Sequence, residues 1–152
     1  MLDGMYGKGS KQEKTKEINS VHQIIVYEVN NHITETYIRS NASRTILRLV
    51  RALDFVAAFM ERLKKEPNIA FRDVVQQSYE EKLAPFHSWP ARKAVGVATY
   101  TLPSRNDFLM TIGAKEDVLN EGGSYDVLVG DLQLVCDISF KYFTEYDLQN
   151  LP

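Results

Sequence analysis

The stretch from Ser43 to Met60 constrains this chain more than any other. It reads Ser43-Arg-Thr-Ile-Leu-Arg-Leu-Val-Arg-Ala-Leu-Asp-Phe-Val-Ala-Ala-Phe-Met60, with apolar residues at helical spacing and no strand-like alternation. Arg44, Arg48 and Arg51 stand at i, i+4 and i+7, so a helix stacks them on one face. Between them lie Ile46, Leu47, Leu49 and Val50, and no acidic residue. Guanidiniums within a core-like helix are costly to desolvate unless an anionic group offsets the loss. Their rigid fork of donors matches phosphate or carboxylate. The run implies a helix with a site for one anionic group. Two plainer arrangements stay open: Arg51 pairing with Asp54 at i+3, and Arg44 or Arg48 laying their stems over solvated surface. Arg62, beside Glu61 and Lys64, is expected to be plain solvated surface.

The rest of the chain follows the same helical period. Residues 1–17 are rich in glycine and lysine and read as a flexible leader or loop remnant; a single domain is expected over 18–152. Helical patterning over 16–39 carries Val21, Ile24, Ile25, Val29 and Ile33, with Asn30 and Asn31 weakening its middle. A break at 40–43 leaves Ser43 as the expected N-cap of the arginine helix, which Glu66-Pro67-Asn68 should stop near 65. Further helices are expected over 69–83, 89–100, 104–110 with Ser104 as N-cap, and 125–146. In the last, Leu128, Leu132, Val135, Ile138 and Tyr142 are expected to point inward. The class is all-α, antiparallel helices joined by short turns.

Composition narrows the function. The chain has 152 residues, 44% apolar and 25% charged, as expected of one ordinary globular domain. A net charge of −2 argues against a nucleic-acid partner, which needs a basic surface. Cys136 is the single cysteine, which excludes an intrachain disulfide and a cysteine-based zinc cluster. His22 and His32 lack any metal-ligand spacing, and no phosphate loop, nucleophile elbow or carboxylate pair stands out. No metal, no cofactor and no catalysis are expected. Without a membrane-length apolar run or a secretory signal, the expectation is a cytosolic monomer whose membrane contact is transient and peripheral. His87 lies at a helix junction in Leu83-Ala-Pro-Phe-His-Ser-Trp89. Its ring either bonds a backbone carbonyl or orients one polar atom of a ligand at the mouth of an apolar pocket.

Several motifs in order resemble the glycolipid transfer protein superfamily, and within it the members that take ceramide-1-phosphate. They are Ser43-Arg-Thr-Ile-Leu-Arg-Leu-Val-Arg-Ala-Leu53, Ser78-Tyr-Glu-Glu-Lys-Leu-Ala-Pro-Phe-His-Ser-Trp89, Thr101-Leu-Pro-Ser-Arg-Asn-Asp-Phe-Leu109 and the closing Leu148-Gln-Asn-Leu-Pro152. The resemblance implies a two-layer helical sandwich that carries a sphingolipid between membranes without hydrolysing it. Arg48 stands where glycolipid-binding members place a tryptophan that stacks on sugar, an exchange that favours a phosphate headgroup. Arg44 and Arg51 match the family's other phosphate ligands, Arg39 resembles a further cation there, and His87 matches the histidine that donates to the ceramide amide. On this reading the hydrocarbon chains lie among Ile24, Ile25, Val29, Phe55, Phe59, Val95 and Leu132.

One departure bears on that expectation. The family pairs its histidine with an aspartate on an earlier helix, followed one turn later by a lysine. Asp3-Gly-Met-Tyr-Gly-Lys8 does not have that spacing and resembles the loop after it. The sandwich is therefore expected to be incomplete at its N-terminus, exposing apolar surface that the opening helices would cover. Two other functions stay open: a lipid-sensing or interaction module that binds without transferring, and carriage of a glycosylceramide.

Overall fold

The computed structural model describes residues 20–35, 41–113, 119 and 122–151. The leader expected over 1–17, the helical pattern at 16–19 and 36–39, and Arg39 itself lie outside the described residues. Among the described residues, six α-helices and two single 3₁₀ turns are present and no strand: α1 (Val21–Asn30), α2 (Ala42–Lys65), α3 (Phe71–Lys82), a 3₁₀ turn (Ala84–Phe86), α4 (Trp89–Ala98), a second 3₁₀ turn (Thr99–Thr101), α5 (Arg105–Thr111) and α6 (Ser124–Glu145).

Side-chain oxygens start three of these helices. Ser20 accepts from Gln23 N, Asn41 from Arg44 N and Ser104 from Asp107 N, each satisfying a donor that the helix leaves over. The cap of α2 is thus Asn41, two residues before the expected Ser43, whose side chain is buried in the first turn. The first helix also stops at Asn30, not near residue 39. His32 takes φ 55°, and the amides of His32 and Ile33 turn back to Val29 O (3.0 Å) and Glu28 O (2.8 Å). That is a Schellman closure with histidine where glycine is usual. Asp147, at φ 54°, closes α6 the same way, with Leu148 N bonded to Phe143 O at 2.8 Å.

Helix α2 is the spine, packed against α6 on one side and α3 on another. Its two halves feed separate cores. The C-terminal half joins Phe59 and Leu63 to Phe71, Val74, Leu109, Tyr125 and Val129, with Phe108 stacked on Phe71 at 4.6 Å. The N-terminal half joins Leu47 to Ile25, Phe143 and Leu148. Arg105 secures α5 beneath the end of α2 by donating to Leu63 O.

The inward face of α6 differs from the expected one. Tyr125, Val129, Cys136, Ser139 and Phe143 are buried, whereas Leu128, Val135 and Ile138 are about half exposed. Leu132 and Tyr142 are half-buried. The sequence of α6 is apolar on two sides, so periodicity alone does not select one. Small Cys136 and Ser139 permit close approach to α2, and Cys136 Sγ reaches Val50 O at 3.7 Å. Together with Val127 and Leu134, the displaced residues form an exposed apolar face.

Candidate functional site

The arginine ladder divides by burial. Arg44 is 4% exposed and Arg51 is 7% exposed, whereas Arg48 between them is exposed to solvent. Arg44 is fixed at both ends. Its backbone N–H donates to Asn41 Oδ1 at 2.8 Å and its Nη2 to Thr34 O at 3.3 Å. Asn41 is itself tied to the loop after α1 through Ile33 O. Beneath this turn lies Glu28 of α1, buried at 6% exposure, whose two carboxylate oxygens accept from Ala42 N (2.8 Å) and Ser43 N (2.9 Å). A carboxylate on the free amides of a helix start is favourable, since those amides carry partial positive charge.

Arg51 is held by a different part of the chain. Its Nη2 donates to Gln149 O at 2.8 Å in the segment after α6, and its guanidinium carbon lies 3.7 Å from the centre of the Phe86 ring. Burial lowers its pKa from the ordinary arginine value, and the positive field of Arg48 adds to that. Asp54 does not pair with Arg51; its carboxylate meets Lys82 of α3 at 3.3 Å. Arg62, expected to be solvated surface, instead bridges α2 to α3 through Gln77 and Glu81, with Glu66 as a further partner. Among the described residues, backbone carbonyls hold the guanidiniums of Arg44 and Arg51, and the Phe86 ring also covers that of Arg51.

His87 follows the 3₁₀ turn that reverses the chain after α3. Phe86, stacked on Arg51, is the residue immediately before it, which brings the histidine segment to the ladder. The His87 ring bonds no backbone carbonyl among the described residues. Its Nδ1 lies 2.8 Å from the hydroxyl of buried Tyr79. Burial raises the Tyr79 pKa, with Arg92 acting in the opposite direction. Sequence reasoning missed Tyr79, Glu28 and Gln149. A glutamate amid the apolar residues of α1 was the one legible signal among them.

Four of the seven residues expected around hydrocarbon chains lie in the two core clusters. Ile25 and Val29 belong to the core at the start of α2, Phe55 and Phe59 to the core at its end. Ile24, Val95 and Leu132 are half-buried. A groove of about 700 Å³ runs between α3 and α4 and is lined by Arg72, Tyr79, Trp89, Arg92, Val97 and Tyr100 among others. Trp89 is 65% exposed there, with Lys93 Nζ 5.7 Å from its ring centre, and Arg72 covers Tyr100 at 4.4 Å. Among the described residues no cluster of three or more histidine, cysteine, aspartate or glutamate side chains could hold a metal ion, and no helix is long and apolar enough to cross a membrane.

Comparison with known proteins places the chain in a family. The pattern of the Glycolipid transfer protein (GLTP) family matches residues 7–114. The ceramide-1-phosphate transfer protein of Bos taurus is 34% identical over 154 residues, covering 95% of this chain and 68% of the relative. The crystal structure of mouse ceramide-1-phosphate transfer protein in its apo-form superposes with a TM-score of 0.78 at 30% identity, covering 87% of this chain and 65% of that one. The human ceramide-1-phosphate transfer protein in complex with 12:0 ceramide-1-phosphate gives 0.77 at 30% identity, covering 88% and 66%. The chain therefore spans about two thirds of the length of these relatives. The all-α architecture is theirs. In sequence and in fold, the chain belongs to the glycolipid transfer protein family.

Proposed function

We propose that this chain binds ceramide-1-phosphate and carries it between membranes without making or breaking a bond in the lipid. The observation that carries the reading is the pair of buried arginines, Arg44 and Arg51, fixed on one helix with exposed Arg48 between them. Backbone carbonyls hold the outer two in position before any ligand arrives, so less freedom is lost when a phosphate binds. Arg48 closes on the headgroup, Arg39 assists, and His87 donates to the ceramide amide. The relatives' printed ligand supports phosphate over sugar. Hydrocarbon contact supplies most of the affinity, at roughly 0.8 kcal/mol per buried methylene, with Ile24, Ile25, Val29, Phe55, Phe59, Val95 and Leu132 as the proposed chain contacts. Exposed Trp89 and Phe86, with Lys93 beside the tryptophan, suit brief contact with an anionic lipid surface. The chain works as a cytosolic monomer.

The test is vesicle-to-vesicle transfer of ceramide-1-phosphate by Arg48→Leu. Losing one charge-assisted contact of about 1.5–3 kcal/mol should slow transfer by roughly ten- to a hundredfold. Unchanged transfer sinks the proposal.

A second reading draws on the exposed apolar face of α6. With Val127, Leu134 and Val135 in water, the chain has a wall for hydrocarbon but no opposite wall among the described residues. On that reading it senses ceramide-1-phosphate within a membrane, and saturable binding to vesicles without extraction distinguishes it from carriage. Preference for galactosylceramide over ceramide-1-phosphate would favour glycolipid instead, against the cationic Arg48.

A further inference from the structure

His87 has two ring nitrogens, and one of them is already engaged. Nδ1 lies 2.8 Å from the Tyr79 hydroxyl, and the two rings are tilted by 44° with centroids 5.6 Å apart. Tyr79 comes from the last turn of α3 and is 3% exposed. Among the described residues this is the one hydrogen bond that either side chain makes through its polar atoms. The histidine is also fixed through its backbone, whose N–H donates to Ala84 O at 3.1 Å.

Which partner donates decides what the other face of the ring can do. A neutral imidazole carries one N–H and one bare nitrogen, and the bond made by one determines the state of the other. A phenol O–H is the better donor of this pair, and an imidazole nitrogen is the better acceptor. A tyrosine hydroxyl is ordinarily protonated across the neutral range, and burial raises the pKa of Tyr79 further.

We infer that Tyr79 is a positioning residue that holds His87 as its Nε2–H tautomer, so that the free edge of the ring is a hydrogen-bond donor selective for a carbonyl oxygen. A sphingoid lipid bearing an N-acyl group presents such an oxygen. One bearing a free ammonium sets donor against donor. The selectivity rests on the proposed role of His87 toward lipid, but the tautomer is a property of the ligand-free chain and is measured without it.

The experiment is a two-bond ¹H–¹⁵N correlation spectrum of the full chain without lipid, paired with binding to vesicles containing ceramide-1-phosphate. The native chain should show His87 protonated at Nε2 and bare at Nδ1. Tyr79→Phe, which keeps the ring but loses the hydroxyl, should show a mixed pattern and bind about fivefold more weakly. The same change in a His87→Ala chain should leave binding where it was. A native spectrum with the proton on Nδ1, or an unaltered pattern in Tyr79→Phe, overturns the inference. The native spectrum alone decides the tautomer, even where a variant fails to fold. If the tautomer pattern is as expected while the native chain does not bind ceramide-1-phosphate, the pairing of Tyr79 with His87 stands and the lipid reading falls.

Discussion

The inner side of α2 buries Arg44 and Arg51, whereas the outer side of α6 leaves Val127, Leu128, Leu134, Val135 and Ile138 in water. Both depart from the usual sorting of charged groups outward and apolar groups inward. They differ in how the departure is accommodated. Each buried arginine is held by a backbone carbonyl, from Thr34 or from Gln149. The α6 face meets nothing comparable among the described residues. The chain itself thus supplies backbone partners for two buried cations, while the apolar face of α6 is left exposed.

The largest effect should come from loosening the polar side. Glu28→Ala removes two bonds to the first amides of α2, and should cost about 3 kcal/mol of stability. For a chain of this size, calorimetry should register a fall in Tm of roughly 6–12 °C. Binding of ceramide-1-phosphate should weaken with it, since Arg44 departs from that same turn. An unchanged Tm would show that the prepared site does not depend on α1.

A smaller effect is expected on the apolar side. Leu128→Lys with Val135→Lys should alter stability by no more than about 0.5 kcal/mol, because both side chains are already about half in water. Transfer of long-chain ceramide-1-phosphate should fall while binding of a short-chain analogue persists. Titration calorimetry with the two lipids separates these outcomes. A large loss of stability would mean that the face is covered within the chain, and the contrast with α2 would dissolve.

The smallest effect concerns His32. Its contact with Glu35 at 2.8 Å raises its pKa above the ordinary histidine value. A raised folded-state pKa stabilises fully below the unfolded value and loses that contribution as pH rises through the folded one. Denaturation midpoints should therefore decline slightly between about pH 5.5 and pH 8, and less so in His32→Asn, which keeps a residue tolerant of positive φ. An identical slope in both chains would remove His32 from the account.

Much of the architecture was legible because its punctuation is local. Ser104 caps α5 as expected, Glu66-Pro67-Asn68 ends α2 and Pro103 follows the second 3₁₀ turn. The end of α1 was not legible, since its left-handed residue is His32 and not glycine. Nor was the inward face of α6, where two apolar stripes compete and only packing against α2 chooses. At the site, the spacing of Arg44, Arg48 and Arg51 was visible but their different burial was not. Arg44 and Arg51 are each held by a main-chain oxygen, and a main-chain oxygen has no residue type to read. For Arg51 the partner lies 98 positions away.

Helix α4 has no buried residue, and prolines flank His87 at Pro85 in the 3₁₀ turn and Pro90 in the first turn of α4. A helix with so little anchorage separates locally at small free-energy cost, and each proline restricts its own backbone torsion. On the proposed function, Trp89 and Lys93 lift and re-seat against a lipid surface while Phe86 keeps its place on Arg51. On that reading the weakly anchored helix meets the membrane, and the held guanidinium meets the headgroup.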